Sequence, residues 1–136
     1  MIKQIQVNTT GQGLFAFTPK VEAFVEQSQT EEGLCTLFIQ HTSASLLIQE
    51  NYDHSAQTDL ENWMNRLVPE RDPLFTHTLE GDDDMPAHIK STLTATSLGI
   101  PILNGRLALG TWQGIYLWEH RYGSHTRNVI AHIACD

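Results

Sequence analysis

The segment His41–Asn51, with the sequence HTSASLLIQEN, carries the densest group of side chains in this chain that could do chemistry. The apolar and β-branched stretch before it, Leu34–Gln40, is typical of a buried strand. A core strand that runs into an imidazole and several hydroxyls either hydrogen-bonds buried backbone or builds a site. We favour a site, and its candidate members are the polar residues His41, Thr42, Ser43, Ser45, Glu50, Asn51 and Asp53.

The acidic run in Gly81–His88, with the sequence GDDDMPAH, is a candidate metal centre. On a predicted helix Asp84 and His88 are one turn apart, so both side chains can face the same point. Together with a further imidazole, either His41 or His77, they form a reasonable set of ligands for Mg²⁺ or Zn²⁺. We therefore predict that His41 and His88 converge in space, and that the other two aspartates belong to a solvated acidic loop.

The segment Gly105–Gln113, with the sequence GRLALGTWQ, is a second candidate for ligand binding. Its glycines, Gly110 among them, allow the backbone to approach a ligand, while Thr111 and Gln113 bring neutral polar groups to a strand junction. No Lys-Ser or Lys-Thr pair follows the glycines, so the segment is not a P-loop. The alternative is a pair of hairpin turns, and for Trp112 itself we predict packing in the core.

The strand end Trp118–Arg121 and the later Arg127 form a third candidate. Because side chains alternate along a strand, Glu119 and Arg121 can project from one face. Arg127 can meet them across the hairpin and provide a cationic spot for phosphate, and the alternative is a surface ion pair of little energetic weight. We predict that the Arg127 fork binds a phosphate rather than an internal carboxylate. The remaining histidines are predicted to be ordinary surface or packing residues: His54, His120, His125 and His132.

Three helices and several short strands must position these groups, which predicts an α+β domain with mostly antiparallel pairing. The first helix begins at Thr18, as N-cap before a proline; the second is capped by Asp53 and ends near Pro69; the third begins near Met85. Helical spacing predicts buried faces made of Val21, Phe24 and Val25 in the first helix and of Leu60, Trp63, Met64 and Leu67 in the second. The strands are predicted at Ile2–Val7, Leu14–Phe17, Leu34–Gln40, Ala44–Ile48, Gly99–Leu103, Arg106–Leu109, Gly114–Trp118 and Asn128–Ile133.

The composition limits the class of protein and its partners. A chain of 136 residues is expected to form a single domain, spanning residues 1–136. The formal net charge is −8 and the 8 basic residues are scattered, which argues against a nucleic-acid partner. No segment resembles a membrane span or a signal peptide, so we expect no membrane partner. Two cysteines without framework spacing, Cys35 and Cys135, predict reduced thiols in a cytoplasmic protein.

Three blocks of sequence, in this order, resemble the YjbQ family of small proteins, described as secondary thiamine-phosphate synthase-like. They are HTSASL with the later Asn51 and Asp53, DMPAH at 84–88, and GxLxLGTWQ at 105–113, followed by Glu119 and Arg127. The resemblance covers essentially the whole chain, although His120 stands where an acidic residue is expected. It implies an α+β domain whose sheets form a sandwich, assembly as a homotrimer, and weak thiamine-phosphate synthase activity.

That reaction joins a hydroxymethylpyrimidine diphosphate to a thiazole phosphate and releases pyrophosphate, at a site expected where subunits meet. The resemblance implies metal or diphosphate binding by His41, Asp84 and His88, and positioning by Ser43, Asn51 and Asp53. It implies phosphate contacts from Thr42, Gly110, Thr111, Gln113 and Arg127. Glu119 is then either a metal ligand or the residue that orients Arg127.

Two alternatives belong to other classes of protein. The first is a trimeric protein that binds a metal or a phosphorylated metabolite without turning it over. The second is a scaffold whose polar cluster only caps strands, with every hydroxyl satisfied internally. A metal centre with an open coordination position favours an enzyme over both.

Overall fold

The chain forms two sheets and three helices in the computed structural model, which describes residues 1–136. The strands are β1 (Ile2–Thr9), β2 (Gly13–Ala16), β3 (Gly33–Ile39), β4 (Ala44–Glu50), β5 (Ser97–Leu103), β6 (Arg106–Leu107), β7 (Gln113–Glu119) and β8 (His125–Cys135). The helices are α1 (Thr18–Ser28), α2 (His54–Leu67) and α3 (Asp84–Leu93). The larger sheet has the order β1-β8-β3-β5-β6 and the smaller one β2-β7-β4. All paired strands are antiparallel, so the predicted α+β class is confirmed.

The main hydrophobic core is built from alternate residues of both sheets together with one face of α1. Leu37 of β3, Leu117 of β7 and Val129 of β8 are fully buried, as the period of two along a strand requires. The predicted apolar face of α1 is buried as well: Val21, Phe24 and Val25. The sequence therefore identified the α1 face of this core and β3 as a buried strand correctly.

The start of α1 differs in detail from the prediction. Phe17, not Thr18, precedes the first turn as the N-cap residue. The Thr18 Oγ1 instead accepts the backbone N–H of Ile115 at 2.8 Å, which ties the helix to β7. Pro19 lies in the first turn, where its missing N–H leaves no helical hydrogen bond unmade.

Helix α2 begins as predicted, because the Asp53 Oδ1 accepts the Ser55 N–H at 2.9 Å. Its predicted buried face is half right: Met64 is buried and Leu60 is partly buried beside it, while Trp63 and Leu67 are each 51% exposed. The helix contacts β2 and packs Met64 in a cluster with Trp118 of β7, so only part of its apolar face is covered. The helical spacing of apolar residues predicts which face of α2 turns inward, but it does not show how much of that face the smaller sheet covers.

The register of the smaller sheet separates the candidate residues into two groups. Ala44 pairs with Glu119 at one end of the sheet, and Glu50 pairs with Gln113 at the other. Extended strand rises about 3.3 Å per residue, so these two ends lie roughly 20 Å apart. Within one chain, residues at the two ends therefore do not contact the same small ligand.

The outer face of the larger sheet carries exposed apolar side chains. Leu34 and Phe38 of β3 and Leu103 of β5 each leave about half of their surface exposed. The helices pack elsewhere, since α1 joins the core, α2 contacts β2, and α3 contacts β4. None of the three helices is long and apolar enough to cross a membrane.

Candidate functional site

The segment of residues 41–44, which joins β3 to β4 and ends on Ala44, the first residue of β4, is held by β8. The His41 Nε2 accepts the backbone N–H of Asn128 at 2.8 Å. The Ser43 Oγ accepts a hydrogen bond from the Arg127 Nη2 at 3.0 Å. The polar cluster that follows the buried strand is therefore anchored by two consecutive residues of β8, and we call it the 41–44 loop.

Three side chains around the start of α3 form a compact cluster of metal-type donors, His77, Asp84 and His88. The His77 Nε2 lies 2.7 Å from the Asp84 Oδ2, and the His88 Nε2 lies 3.3 Å from the same oxygen. Asp84 is the first residue of α3 and is buried, and His88 follows one turn later. One donor atom from each residue lies within 4.8 Å of the others. Of the two imidazoles considered from the sequence, His77 completes this cluster and His41 does not belong to it.

The contact between His88 and Thr42 assigns the tautomer of this histidine. The Thr42 carbonyl can only accept, so the His88 Nδ1, 3.1 Å away, carries a proton and donates it. The His88 Nε2 lies on the other side of the ring and faces the Asp84 Oδ2. Either a proton or a metal ion between these two atoms makes their contact favourable. One donor atom from each of three residues is also a set that a divalent cation can take.

The other oxygen of Asp84 is occupied by Arg121, whose Nη1 lies 3.2 Å from the Asp84 Oδ1. The Arg121 Nε also donates to the Asp83 Oδ2 at 3.3 Å, and Asp83 accepts the Tyr122 N–H. Burial opposes the ionised carboxyl, but the hydrogen bonds from Tyr122 and Arg121 outweigh it and lower the pKa of Asp83. The prediction that Asp83 is solvated is therefore wrong: Asp83 is buried and pairs with the Arg121 guanidinium. Of the three aspartates only Asp82 is exposed.

The Arg127 guanidinium is committed to a buried ion pair with Glu119. Its Nε donates to the Glu119 Oε1 at 2.7 Å and its Nη2 to the Oε2 at 2.5 Å. The Thr9 hydroxyl and the Arg121 N–H donate to the same carboxylate. Burial alone would raise the pKa of Glu119, yet the hydrogen bonds from Arg127 and Thr9 hold it below its usual value.

The prediction that the Arg127 fork binds phosphate rather than an internal carboxylate is therefore wrong. Arg127 lies two residues before Val129 on β8, so both side chains point to the same, buried face of the sheet. Glu119 lies outside the His-Asp-His cluster and orients Arg127, which is one of the two roles considered for it.

His120 is a packing histidine, as predicted, although its surroundings are unusually polar. Its Nε2 lies 2.9 Å from the Ser45 Oγ, and both residues are buried. Burial and the nearby charge of Lys90 lower the pKa of His120 to about 3. Lys90 is buried too, and its Nζ donates to the Asn65 Oδ1 at 2.5 Å. Sequence reasoning missed Lys90, because a lysine on a surface helix is ordinarily solvated.

The other candidates lie at the far end of the smaller sheet. The Gln113 Oε1 accepts the Gly110 N–H at 2.7 Å, and Thr111 beside them is exposed. Asn51 and Gln113 line a cleft of about 670 Å³ between α1 and β6. The Asp53 carboxylate caps α2, as described above. These residues do not contact the His-Asp-His cluster. The site residues that the family resemblance implies therefore lie in two separate places in the structure.

Trp112, at this same end, is not a core residue. It is 57% exposed and packs against the ring of Tyr52, with a centroid separation of 5.0 Å. Its carbonyl accepts the Asn51 N–H at 2.9 Å. The segment before β7 is a surface turn, and so the prediction of core packing for Trp112 is wrong.

The fold and the site together define a class of protein: a two-sheet α+β domain with a His-Asp-His cluster at the start of α3. A family model described as UPF0047 protein YjbQ-like matches residues 3–136. The chain belongs to this family, as the resemblance in its sequence blocks indicates.

Relatives and solved structures agree with this assignment. The chain is 54% identical over 128 residues to a UPF0047 protein of Synechocystis sp., covering 94% of this chain and 87% of that protein. It is 39% identical over 130 residues to the UPF0047 protein YjbQ of Escherichia coli O157:H7, covering 95% and 94% of the two chains. A crystal structure of a YjbQ/UPF0047 family protein from Clostridium acetobutylicum matches with a TM-score of 0.88 at 32% identity, covering 97% and 99%. None of these names states an activity, so the comparisons define the family and the fold.

Proposed function

We propose that the chain binds a divalent cation through His77, Asp84 and His88, and that this centre acts on a phosphorylated small molecule. One observation carries the proposal: one donor atom from each of the three residues lies within 4.8 Å of the others, with the His88 Nε2 3.3 Å from the Asp84 Oδ2. A cation between these atoms would accept a lone pair from each of them. The Thr42 carbonyl and Arg121 already orient the two ligands, as outer-shell partners do in metal sites.

The donor set also favours one kind of ion. Two imidazoles and one carboxylate suit Zn²⁺, Mn²⁺ or Fe²⁺ better than Mg²⁺, which prefers oxygen ligands. Of the two ions expected from the sequence, we therefore propose Zn²⁺. Three protein ligands leave a coordination position open, and such an ion supplies charge neutralisation for a diphosphate.

As the specific activity we propose the thiamine-phosphate synthase-like reaction that the family resemblance implies. Release of pyrophosphate requires positive charge near the departing group. Arg127 is held by Glu119, so its part is to hold the Ser43 hydroxyl in place rather than to bind phosphate through its fork. The chain's own residues then bind and orient the diphosphate around the 41–44 loop.

The alternative proposal is a protein that binds a metal and a phosphorylated metabolite without turnover. The positions of Asn51 and Asp53 favour this alternative. Both were expected to position a substrate, yet they lie at the opposite end of the smaller sheet from the 41–44 loop. Measurement of pyrophosphate release from the two phosphorylated substrates by the Zn²⁺-loaded protein discriminates between them. Release that Asp84→Asn abolishes supports the enzyme, whereas binding without release supports the alternative.

The metal proposal predicts that Zn²⁺ raises the melting temperature of the wild-type chain, because a ligand that binds only the native state stabilises it. Asp84→Asn and His77→Ala should each lose most of this increase, since each removes one of three donors. Asp82→Asn is the matched control: it removes the neighbouring carboxylate, which is exposed and pairs only with Arg71. Differential scanning fluorimetry with Zn²⁺, Mn²⁺ and Mg²⁺ measures the effect. An equal increase in the Asp84→Asn variant would exclude this metal centre.

A homotrimer is also proposed, and the exposed apolar face of the larger sheet supports it. A second copy of the chain that covers Leu34 and Phe38 would remove apolar surface from water. Light scattering at micromolar concentration should then give three times the monomer mass. Leu34→Glu should lower that mass while circular dichroism remains unchanged. A wild-type monomer would contradict the proposal.

A further inference from the structure

A second cleft, of about 660 Å³, opens beside the 41–44 loop. It is lined by the last residues of β3, by the loop and by the turn before β5: Phe38, Gln40, His41, Thr42, Ser43 and Thr96. Apart from Phe38 and the buried Ile39, every lining residue has a polar side chain. The chemistry of this cleft is therefore set by which of these groups have no partner within the chain.

His41 presents a hydrogen-bond donor to this cleft. Its Nε2 accepts the Asn128 N–H at 2.8 Å, so in the neutral ring the proton lies on Nδ1. The Nδ1 has no hydrogen-bond partner in the chain, and it is exposed to solvent rather than buried. Burial, and then the charge of Arg127, lower the pKa of His41, which favours the neutral ring.

The hydroxyl groups of the cleft are donors as well. The Ser43 Oγ accepts from the Arg127 guanidinium, so its own O–H is free to donate, and that contact polarises it. The Thr42 and Thr96 hydroxyls have no partner within the chain, and both residues are exposed. The negative charge of Glu119 is neutralised in its ion pair with Arg127. The cleft therefore offers several unpartnered hydrogen-bond donors and no unpaired carboxylate, which suits the binding of anionic oxygens.

We infer that this cleft binds the phosphoryl oxygens of the ligand, with the Nδ1–H of His41 as the main donor and the hydroxyls of Ser43, Thr42 and Thr96 around it. His41 is thus a binding residue that acts as a neutral donor and not as a metal ligand. The inference rests on the proposed function only in naming a phosphorylated molecule as the ligand.

Two substitutions at His41 separate its two hydrogen bonds. In His41→Gln the side-chain amide reaches the position of Nε2, so the oxygen can still accept the Asn128 N–H, while the donor at Nδ1 is lost. In His41→Asn the amide lies at the position of Nδ1, so the donor is kept and the contact with Asn128 is lost. His54→Gln, at the exposed start of α2, is the matched control.

The probe is inorganic pyrophosphate, titrated without metal by calorimetry and by ¹⁵N NMR of the imidazoles. We expect the dissociation constant of His41→Gln to rise roughly tenfold or more at an unchanged melting temperature, because a donor to a charged oxygen is lost. His41→Asn should melt at a lower temperature yet bind more tightly than His41→Gln. The NMR spectrum of the free wild type should show Nδ1 protonated and Nε2 bare.

Wild-type affinity in His41→Gln, the opposite tautomer, or no binding of pyrophosphate by the wild type would each overturn the inference. If His41→Asn does not fold, His41→Gln alone decides. Zn²⁺ should stabilise His41→Gln as much as the wild type. Failure of the metal centre appears as a missing Zn²⁺ effect in every variant, and the metal-free titration still tests the cleft.

Discussion

Replacement of Arg127 by Met is expected to lower the free energy of unfolding by about 3–5 kcal/mol, the usual cost of breaking a buried ion pair from one side. The variant leaves the Glu119 carboxylate without its cation in a place where it has no access to water. Thr9 and the Arg121 N–H still donate to this carboxylate, but neither neutralises its charge. Urea denaturation at neutral pH, followed by circular dichroism, measures the loss.

The double variant Glu119→Gln with Arg127→Met is the control for this effect. It removes both charges and keeps an amide oxygen that can accept from Thr9, so it should be clearly more stable than Arg127→Met alone. The free energy of unfolding of Arg127→Lys should lie between those of the wild type and Arg127→Met. The lysine ammonium keeps the charge but cannot make the two parallel hydrogen bonds to Glu119. A double variant that is less stable than Arg127→Met alone would show that the unpaired Glu119 charge is not the source of the loss.

Acidification is expected to destabilise the fold through His120. Its pKa is about 3 in the native state against 6.5 for the ordinary imidazole, so between these values only the unfolded chain binds the proton. Stability from this group is therefore complete above pH 6.5 and is lost as the pH falls toward 3. From pH 7 to pH 4 the loss amounts to about 3 kcal/mol, at about 1.4 kcal/mol for each pH unit.

His120→Gln tests this dependence directly, because glutamine can keep the contact with the Ser45 hydroxyl but does not titrate. Its free energy of unfolding, measured by denaturant titration at several pH values, should fall less steeply below pH 6.5 than that of the wild type. His132→Gln changes an exposed imidazole and should leave the wild-type slope unchanged. Parallel curves for the wild type and His120→Gln would refute the assignment to His120.

The fold was predictable wherever a pattern along the chain reports directly on burial. The apolar and β-branched run at 34–40 identified β3 as a buried strand, and helical spacing identified the buried face of α1. Asp53 was recognised as a cap because its role depends only on its own helix. The bounds of β8 were set too short, at Asn128–Ile133, because pairing with β1 and β3 on both sides extends it.

The site was predictable only in part, because its geometry depends on contacts between distant segments. Asp84 and His88 share one helical turn, so their proximity follows from the sequence. The choice of His77 over His41 depends on how the loop before α3 folds back, and no spacing encodes that. Arg127 shares a face of β8 with Val129 and Ala131, so its buried direction could be inferred from the period of two. Its partner Glu119 could not, because β7 and β8 belong to different sheets.

The place of β8 in the larger sheet has a consequence for how the molecule folds. It is the last strand of the domain, yet it lies between β1 and β3 and pairs with both. Contacts between residues so far apart in the chain form slowly, since a long loop must close before any of them is made. The groups that anchor the 41–44 loop, Arg127 and the Asn128 N–H, belong to this strand. During synthesis, therefore, His41 and Ser43 reach their final positions only when the domain is almost complete, and no partly made chain presents the assembled site.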